Sequence, residues 1–316
     1  MSAVLEPTPQ YFRHPVARYF AATRPAFLLA SLVAGFLGLA TASHHDALRS
    51  VPLALLTLIG ALCAHAGANV LNDYYDALNG TDARNSERLF PFTGGSRFIQ
   101  NGVLTLAQTR NFGYALLGTV VLVGLLLLQY SASDLLVLGV AGLFVGWAYS
   151  ATPLKLNSRG LGELCIAVGF LLIVVGADFV QRASFAALPW LTGMPYALLA
   201  TNLLYINQFP DRAADAASGK QHWVARLKVR HARWGYALLA LLAYALLVML
   251  VVSGILPAVA LVGLLASPLS FVAAQQLLRY AAEPRQLVGA IKLTIVAMLM
   301  HGVALSLALF FFKGVS

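Results

Sequence analysis

Two stretches of acidic and amide side chains carry the chemistry that this sequence offers. Each begins with an asparagine that is followed four residues later by an aspartate. We name them the first and the second acidic motif, with the members Asn72, Asp73, Asp76 and Asp82, and Asn207, Asp211 and Asp215. Residues four apart share one face of an α-helix, so each Asn-x-x-x-Asp unit presents its oxygen atoms on one side. Such hard ligands suit Mg²⁺, which takes one or two carboxylates and leaves other positions to water and substrate phosphates.

Five basic residues are predicted to surround the acidic motifs: Arg24, Arg97, Lys155, Lys220 and Arg226. Carboxylates at helical spacing repel one another, so positive charge is expected between them. Carboxylates and cations together predict a site for a metal-bridged diphosphate, because a bare anion site has no use for the acids. The alternative for each acidic run is a solvated loop or a helix cap. The same spacing at two places favours a function.

The elements that position these motifs are membrane helices. Of the 316 residues, 59% are hydrophobic and 10% are charged, whereas roughly a quarter are charged in a soluble domain. Apolar blocks of about 17 to 25 residues have the length that a helix needs to cross the hydrocarbon core. Runs such as 121–128 lack the alternation of a β-barrel strand. Cys63 and Cys165 lie inside apolar blocks, which predicts neither a disulfide framework nor a cysteine metal site.

We therefore predict an all-α polytopic membrane protein, with about nine transmembrane helices bundled around a central cavity and one domain over residues 1–316. The predicted spans are 25–42, 52–72, 112–130, 134–150, 161–178, 187–207, 234–254, 256–275 and 289–311. Gly142 and Gly146 form a GxxxG pattern in the fourth span, which predicts a close contact between helices. Pro210 lacks the N–H that would bond to the carbonyl of Ile206, which predicts a kink or a restart of the helix there.

The distribution of basic residues predicts the orientation. Among the 21 lysines and arginines, all except Arg49, Arg182 and Lys313 lie in the N-terminal segment or in the loops after the second, fourth, sixth and eighth spans. The positive-inside rule places these segments in the cytoplasm. Both acidic motifs lie on the same face, so the cavity is expected to open to the cytoplasmic side of an inner (cytoplasmic) membrane. The net charge of +9 belongs to these loops and does not indicate a nucleic-acid surface.

These residues resemble the UbiA superfamily of intramembrane prenyltransferases over nearly the whole chain. The first and second acidic motifs match the two acidic motifs of that superfamily. Three further elements, 80–82, 94–96 and 219–220, are most similar to the 1,4-dihydroxy-2-naphthoate branch of menaquinone synthesis. The Tyr-x-x-x-Lys element of the family is altered, because five residues separate Tyr149 from Lys155.

The resemblance implies transfer of a polyprenyl group from polyprenyl diphosphate to a small aromatic acceptor, with Mg²⁺ as cofactor and membrane lipid as surroundings. No obligate protein partner is implied. The implied metal ligands are Asn72, Asp76, Asp82, Asn207, Asp211 and Asp215. The implied catalytic residues are Asp76, Asp211, Asp215, Lys155 and Tyr149, and the implied diphosphate contacts are Asp73, Arg24, Arg97, Lys155 and Lys220. Tyr74, Tyr149 and Phe209 are candidates for stabilising an allylic cation. The apolar prenyl tail is expected in a cleft that opens sideways to the bilayer.

Several alternatives stay open at this point. Within the family, the acceptor is 1,4-dihydroxy-2-naphthoate, 4-hydroxybenzoate, homogentisate or a lipid alcohol, and the spacing from Asp76 to Asp82 favours the naphthoate. A cation-coupled transporter is a rival, although it normally places ionisable groups near the membrane midplane. A non-catalytic scaffold would tolerate substitution of the acidic motifs. His65 and His301 lie inside spans, where a histidine is either functional or bonded to a neighbouring carbonyl.

Overall fold

The computed structural model describes residues 5–312, and all regular structure in this part of the chain is helical. Its long helices are α1 (Pro25–His44), α2 (Val51–Asn79), α3 (Leu106–Leu128), α4 (Leu135–Ala148), α5 (Gly162–Arg182), α6 (Ala187–Ala217), α7 (Val229–Val252), α8 (Ser267–Tyr280) and α9 (Val288–Phe311). The 3₁₀ segments Ala258–Ala266 and Pro284–Leu287 lead into α8 and α9. Short helices Pro15–Ala22, Thr81–Arg84 and Trp223–Arg226 lie in the connections.

Seven helical segments within residues 5–312 are long and apolar enough to cross a membrane: α1, α2, α3, α5, α7, Ala258–Tyr280 and Pro284–Phe311. Each of the nine predicted spans overlaps one long helix, but two of these helices fall outside the seven. α4 is apolar but has 14 residues, which is short for a bilayer crossing. α6 has 31 residues and contains Pro195 and Pro210. The all-helical membrane architecture is therefore confirmed, whereas the count of nine crossings stays a prediction.

α2 continues past the predicted end of its span and carries most of the first acidic motif. It begins at Ser50, whose hydroxyl accepts a hydrogen bond from the backbone N–H of Leu53. It ends at Gly80, which has a φ of 77°, a left-handed conformation that glycine adopts without the steric cost of a Cβ atom. The turn at Gly80 starts the short helix Thr81–Arg84, which brings Asp82 back towards α2.

α6 does not restart at Pro210, contrary to one form of the prediction, and runs unbroken from Ala187 to Ala217. Proline removes one backbone hydrogen bond from a helix interior. α6 packs extensively against both α5 and α7, and this packing holds the helix across the missing bond. The second acidic motif therefore lies on one continuous helix, with Asp211 and Asp215 one turn apart.

The bundle is packed most closely on the side formed by α1, α6, α7, α8 and α9. The fully buried side chains there include Tyr196, Tyr236 and Ile206. α1 also packs against α5, and α2 packs against α3. A cavity lies between α2, α3, α4, α5 and α6, and the ends of α2 and α6 that carry the acidic motifs lie at one end of it.

Candidate active site

Lys220 joins the two acidic motifs. Its Nζ lies 2.9 Å from Asp76 Oδ2 and 3.1 Å from Asp215 Oδ1. All three residues are buried, with exposed fractions of 9%, 7% and 6%. Burial alone would lower the pKa of Lys220, but the two carboxylates raise it above its ordinary value. The side chain therefore carries a positive charge between the two carboxylates, and the motifs converge although they are far apart in the chain.

The first acidic motif has the helical pairing that its spacing predicts. Asn72 Nδ2 donates to Asp76 Oδ2 at 3.1 Å, four residues along α2. The same nitrogen donates to Ser150 Oγ at 3.0 Å, beyond the end of α4. Asn79 Nδ2 also donates to Asp76, at 3.3 Å from Oδ1. The carboxylate of Asp76 is thus held by two amides and Lys220.

A glycine loop lies against the other two aspartates of the first motif. The backbone N–H of Ser96 donates to both oxygens of Asp73, at 3.2 and 3.3 Å. A Cβ atom on Gly95 would lie 2.6 Å from Asp82 Oδ2 and 2.9 Å from Asp73 Oδ1, so this position has no room for a side chain. Burial, together with the charges of Asp76 and Asp73, raises the pKa of Asp82 well above its ordinary value. A bound cation would relieve this repulsion.

The second acidic motif is held by residues that the sequence analysis did not select. Asn85 Nδ2 donates to Asp211 Oδ1, and the backbone N–H of Gly94 donates to Asp211 Oδ2 at 3.4 Å. His222 Nε2 lies 3.0 Å from Asp215 Oδ2. Asn85 is three residues after Asp82, and His222 is two after Lys220, so their proximity in sequence was the available signal.

The donor set fits a hard divalent cation. Asn207 Oδ1 is buried and has no hydrogen-bond partner among the described residues, which leaves an amide oxygen free beside Asp211, one turn away. The aspartates of both motifs supply further oxygen atoms and exceed the positive charge of Lys220. No three His, Cys, Asp or Glu side chains within residues 5–312 already form a metal cluster. A Mg²⁺ ion held here would therefore take part of its coordination from substrate phosphates and water.

Arg24 and Tyr149 line the cavity, as do all the predicted metal ligands. Arg24 Nη2 donates to the backbone carbonyl of Phe92 at 3.0 Å, and its guanidinium lies 4.5 Å from the centre of the Phe27 ring. Its Nε atom is buried without a hydrogen-bond partner among the described residues. The arginine therefore retains a donor for an anion.

Three residues with predicted diphosphate contacts do not line the cavity: Asp73, Arg97 and Lys155. Arg97 donates to the backbone carbonyl of Asp82, and its Nε lies 3.7 Å from a carboxylate oxygen of Glu6. Lys155 precedes the 3₁₀ turn Leu156–Arg159. Their contact with substrate stays a prediction, and the geometry favours supporting roles for Asp73 and Arg97. Tyr74 and Phe209 are also absent from the lining, so Tyr149 is the one of the three predicted aromatic residues that lines the cavity.

The cavity has a volume of about 580 Å³ and two contrasting walls. One wall is a polar row on α2, formed by Asp76, Asn72, Asn69 and His65, whose spacing of three and four residues places them on one helix face. The other wall consists of apolar residues of α3, α4 and α5. The polar row leads from the acidic motifs into the apolar interior.

Six glycines lie among the leucine, valine and isoleucine residues of the apolar wall, and we name them the glycine wall: Gly124, Gly139, Gly142, Gly146, Gly169 and Gly176. A Cβ atom at any of these positions would meet no heavy atom within 4 Å. The prediction of a close helix contact at Gly142 and Gly146 is therefore wrong. These glycines widen the cavity, because a larger side chain at each would project into it.

Comparisons with known proteins agree with this geometry. The model of the UbiA prenyltransferase family matches residues 28–296. The 1,4-dihydroxy-2-naphthoate octaprenyltransferase of Escherichia coli is 32% identical over 229 residues, which are 68% of this chain and 70% of that protein. The enzyme with the same name from Mycobacterium tuberculosis is 29% identical over 261 residues, 82% of this chain and 85% of that protein.

Solved structures share the fold at low sequence identity. A UbiA homologue from Aeropyrum pernix has a TM-score of 0.66 and 18% identity, covering 88% of this chain and 96% of that one. A UbiA homologue from Archaeoglobus fulgidus bound to DMAPP and Mg²⁺ has a TM-score of 0.60 and 14% identity, covering 91% and 98%. On the evidence of its sequence match, its apolar helices and its paired acidic motifs, this chain belongs to the UbiA prenyltransferase family and is an integral membrane enzyme.

Proposed function

We propose that this enzyme transfers a polyprenyl group from polyprenyl diphosphate to 1,4-dihydroxy-2-naphthoate, a step of menaquinone synthesis. The relatives from Escherichia coli and Mycobacterium tuberculosis carry that activity in their names. The observation that carries the proposal is the Lys220 bridge, because Asp76 and Asp215 meet there at the end of a deep apolar cavity. A substrate with a charged head and an apolar tail fits this arrangement.

We name the end of the cavity that is lined by Asp76, Asp82, Asp211, Asp215 and Lys220 the mouth. The mouth binds the diphosphate. Lys220 and Arg24 supply charge-assisted hydrogen bonds to its oxygens. Asp76, Asp82, Asp211 and Asp215, with the amide oxygens of Asn72 and Asn207, would hold Mg²⁺. Mg²⁺ bound there neutralises diphosphate charge and so stabilises the leaving group.

Transfer then proceeds as an electrophilic aromatic substitution. The bond between the allylic carbon and the diphosphate oxygen breaks, and its electron pair stays on oxygen. The ring of Tyr149 can stabilise the allylic cation through its quadrupole. A ring carbon of the acceptor supplies the electron pair of the new carbon–carbon bond. Loss of the proton on that carbon restores the aromatic ring, and the neighbouring carboxylate leaves as CO₂ while a proton takes its place, so no net proton is released.

The glycine wall accommodates the prenyl tail. The tail is as apolar as lipid, so its placement against α3, α4 and α5 keeps it out of water. The absence of side chains at these positions leaves open space along three helices. A long groove of this kind suits a polyprenyl chain better than a compact ligand.

The active site faces the cytoplasm in this proposal. Arg49 and Arg182 lie at the opposite end of the bundle, where Arg182 pairs with Asp178 and Arg49 donates to the carbonyl of Gln181. Lys313, the third basic residue assigned to that face, lies outside the described residues. Single cysteines at exposed Arg84 and Arg49, probed with a membrane-impermeant thiol reagent in intact cells and in inverted vesicles, test the orientation. Labelling of Arg84→Cys in intact cells would contradict it.

One experiment tests the function as a whole. The purified enzyme is incubated with one labelled polyprenyl diphosphate, Mg²⁺ and a panel of acceptors, and products are identified by mass. We expect prenylated product from 1,4-dihydroxy-2-naphthoate, with release of CO₂ and pyrophosphate, and loss of turnover with EDTA. Product from 4-hydroxybenzoate, homogentisate or a lipid alcohol instead would identify that compound as the acceptor in place of 1,4-dihydroxy-2-naphthoate. Absence of pyrophosphate release with every acceptor would contradict the proposed transfer reaction.

A further inference from the structure

His65 and Ser31 form a polar pair within the cavity that the proposed chemistry of the mouth does not use. His65 Nδ1 lies 2.7 Å from Ser31 Oγ, between α2 and α1. The edge of the imidazole faces the ring of Phe170 on α5, with 5.6 Å between centroids. Ser31 is fully buried, and both side chains line the cavity. Polar groups inside membrane helices are costly unless they bond, so a placed pair of this kind indicates a function.

The hydrogen bond determines which nitrogen of His65 is available. Ser31 has no other hydrogen-bond acceptor among the described residues, so we assign its hydroxyl as the donor to Nδ1. The N–H of the neutral ring then lies on Nε2, which bonds to no described residue. His65 therefore presents a free N–H donor to the cavity, and Ser31 fixes the orientation of the ring.

The position of His65 relative to the mouth fits the size of an aromatic acceptor. His65 is seven residues before Asn72 on α2, which is two helical turns or about 10 Å. The hydroxyl that is not adjacent to the reacting carbon lies two ring carbons away from it, so the allylic carbon, the ring and one hydrogen bond together span a comparable distance along the polar row. The carboxylate lies on the ring carbon between the reacting carbon and this far hydroxyl, and the far hydroxyl approaches His65.

We propose that His65, positioned by Ser31, binds the ring hydroxyl of the aromatic acceptor that points away from the reacting carbon. This inference rests on the proposed function and specifies which part of the cavity selects the acceptor. The polar row then holds the acceptor and the glycine wall holds the tail, so the two substrates lie against opposite walls. Acceptors with an oxygen at the far end of the ring are preferred.

The test compares two ligands in four proteins. The dihydroxynaphthoate acceptor is measured by its KM, and 4-hydroxy-2-naphthoate, which lacks the far hydroxyl and keeps the one next to the reacting carbon, is measured as a competitive inhibitor. The proteins are the wild type, His65→Leu, His65→Gln and His301→Leu. His301 is the matched control, because it is a buried membrane histidine that bonds to the carbonyl of Gly263 and does not line the cavity.

For His65→Leu we expect the KM for the dihydroxynaphthoate acceptor to rise about fivefold, the effect of one neutral hydrogen bond. The inhibition constant for the monohydroxy compound and the KM for polyprenyl diphosphate should stay as in the wild type. Gln restores the acceptor KM because its amide N–H replaces Nε2–H, and His301→Leu retains the wild-type ratio of the two ligands. An unchanged ratio in His65→Leu, or an equal rise in the KM for both substrates, overturns the inference.

Ser31→Ala provides a second measurement if His65→Leu does not fold. It removes the positioning bond and keeps the imidazole, so the KM for the acceptor should rise about threefold without a change for the diphosphate. An unchanged acceptor KM in Ser31→Ala would likewise refute the positioning role. The wild type separates this inference from the proposed function: lack of naphthoate product in the wild type refutes the function, whereas product with an unaltered His65→Leu refutes the inference alone.

Discussion

In the proposed function, the mouth and the interior of the cavity recognise their ligands by opposite means. At the mouth, Asp76, Asp211 and Asp215 are each held by at least two hydrogen bonds or ion pairs. The contacts of Lys220 with Asp76 and of Asn85 with Asp211 join distant parts of the chain. In the interior, a Cβ atom added to Gly142 or to its neighbours on the glycine wall would meet open space. Charge is bound by converging polar groups, and an apolar chain is bound by the removal of side chains.

Loss of one carboxylate at the mouth should have the largest effect. We expect Asp76→Ala or Asp211→Ala to lower pyrophosphate release by about a thousandfold, because each removes an electrostatic contact to the leaving group and metal. Both variants should insert and fold, judged by detergent extraction and a monodisperse elution profile. Asp134→Ala, at an exposed site before α4, is the control. Near wild-type turnover of either mouth variant would remove its carboxylate from the site.

Loss of Lys220 should have the next largest effect. Lys220→Met leaves Asp76 and Asp215 without their shared cation, so we expect the KM for polyprenyl diphosphate to rise about thirtyfold. Lys155→Met should have a smaller effect, because Lys155 does not line the cavity. Steady-state kinetics with the acceptor at saturation measures both. An equal rise in the two variants would show that the mouth extends to Lys155.

A substitution in the glycine wall should separate the interior from the mouth. Gly142→Leu projects a side chain into the tail groove, so turnover of a long polyprenyl diphosphate should fall about tenfold while a short one is still used. Gly118→Leu is the matched control, because it also has open space at its Cβ but does not line the cavity. Activity is measured with donors of increasing length. An equal loss with short and long donors would contradict tail binding at the glycine wall.

The smallest effect is expected at Asn85, which donates to Asp211. Asn85→Ala should lower kcat/KM for the diphosphate by about fivefold, because Asp211 loses one neutral hydrogen bond but keeps the one from the backbone N–H of Gly94. Asn85→Asp should be worse than Ala, since it adds a carboxylate beside Asp211. The order of the two variants is the measurement that matters. A wild-type kcat/KM in Asn85→Asp would show that Asp211 is neutralised by another group.

The first and second acidic motifs could be read from the sequence because their spacing is local. The i and i+4 pairing of Asn72 with Asp76 follows from helical periodicity alone and is present in the structure. The helical membrane architecture followed from the apolar blocks for the same reason. Gly142 and Gly146 show where local patterns fail, because a GxxxG pattern records only that side chains are small. It does not record whether a helix or a cavity lies opposite.

Sequence by itself determined the class of protein, the helices and the residue types that we propose to bind a diphosphate, since these depend on composition and short-range spacing. Only the tertiary structure decided which basic residue meets the acids, which helix face lines the cavity and which partner orients His65. Lys220 and Lys155 are equivalent as cations in the sequence, yet the tertiary structure, in which α6 packs against the short helix Thr81–Arg84 that follows α2, places only Lys220 between Asp76 and Asp215. Contacts between helices distant in the chain arise from the packing of the whole bundle, and no local pattern encodes them.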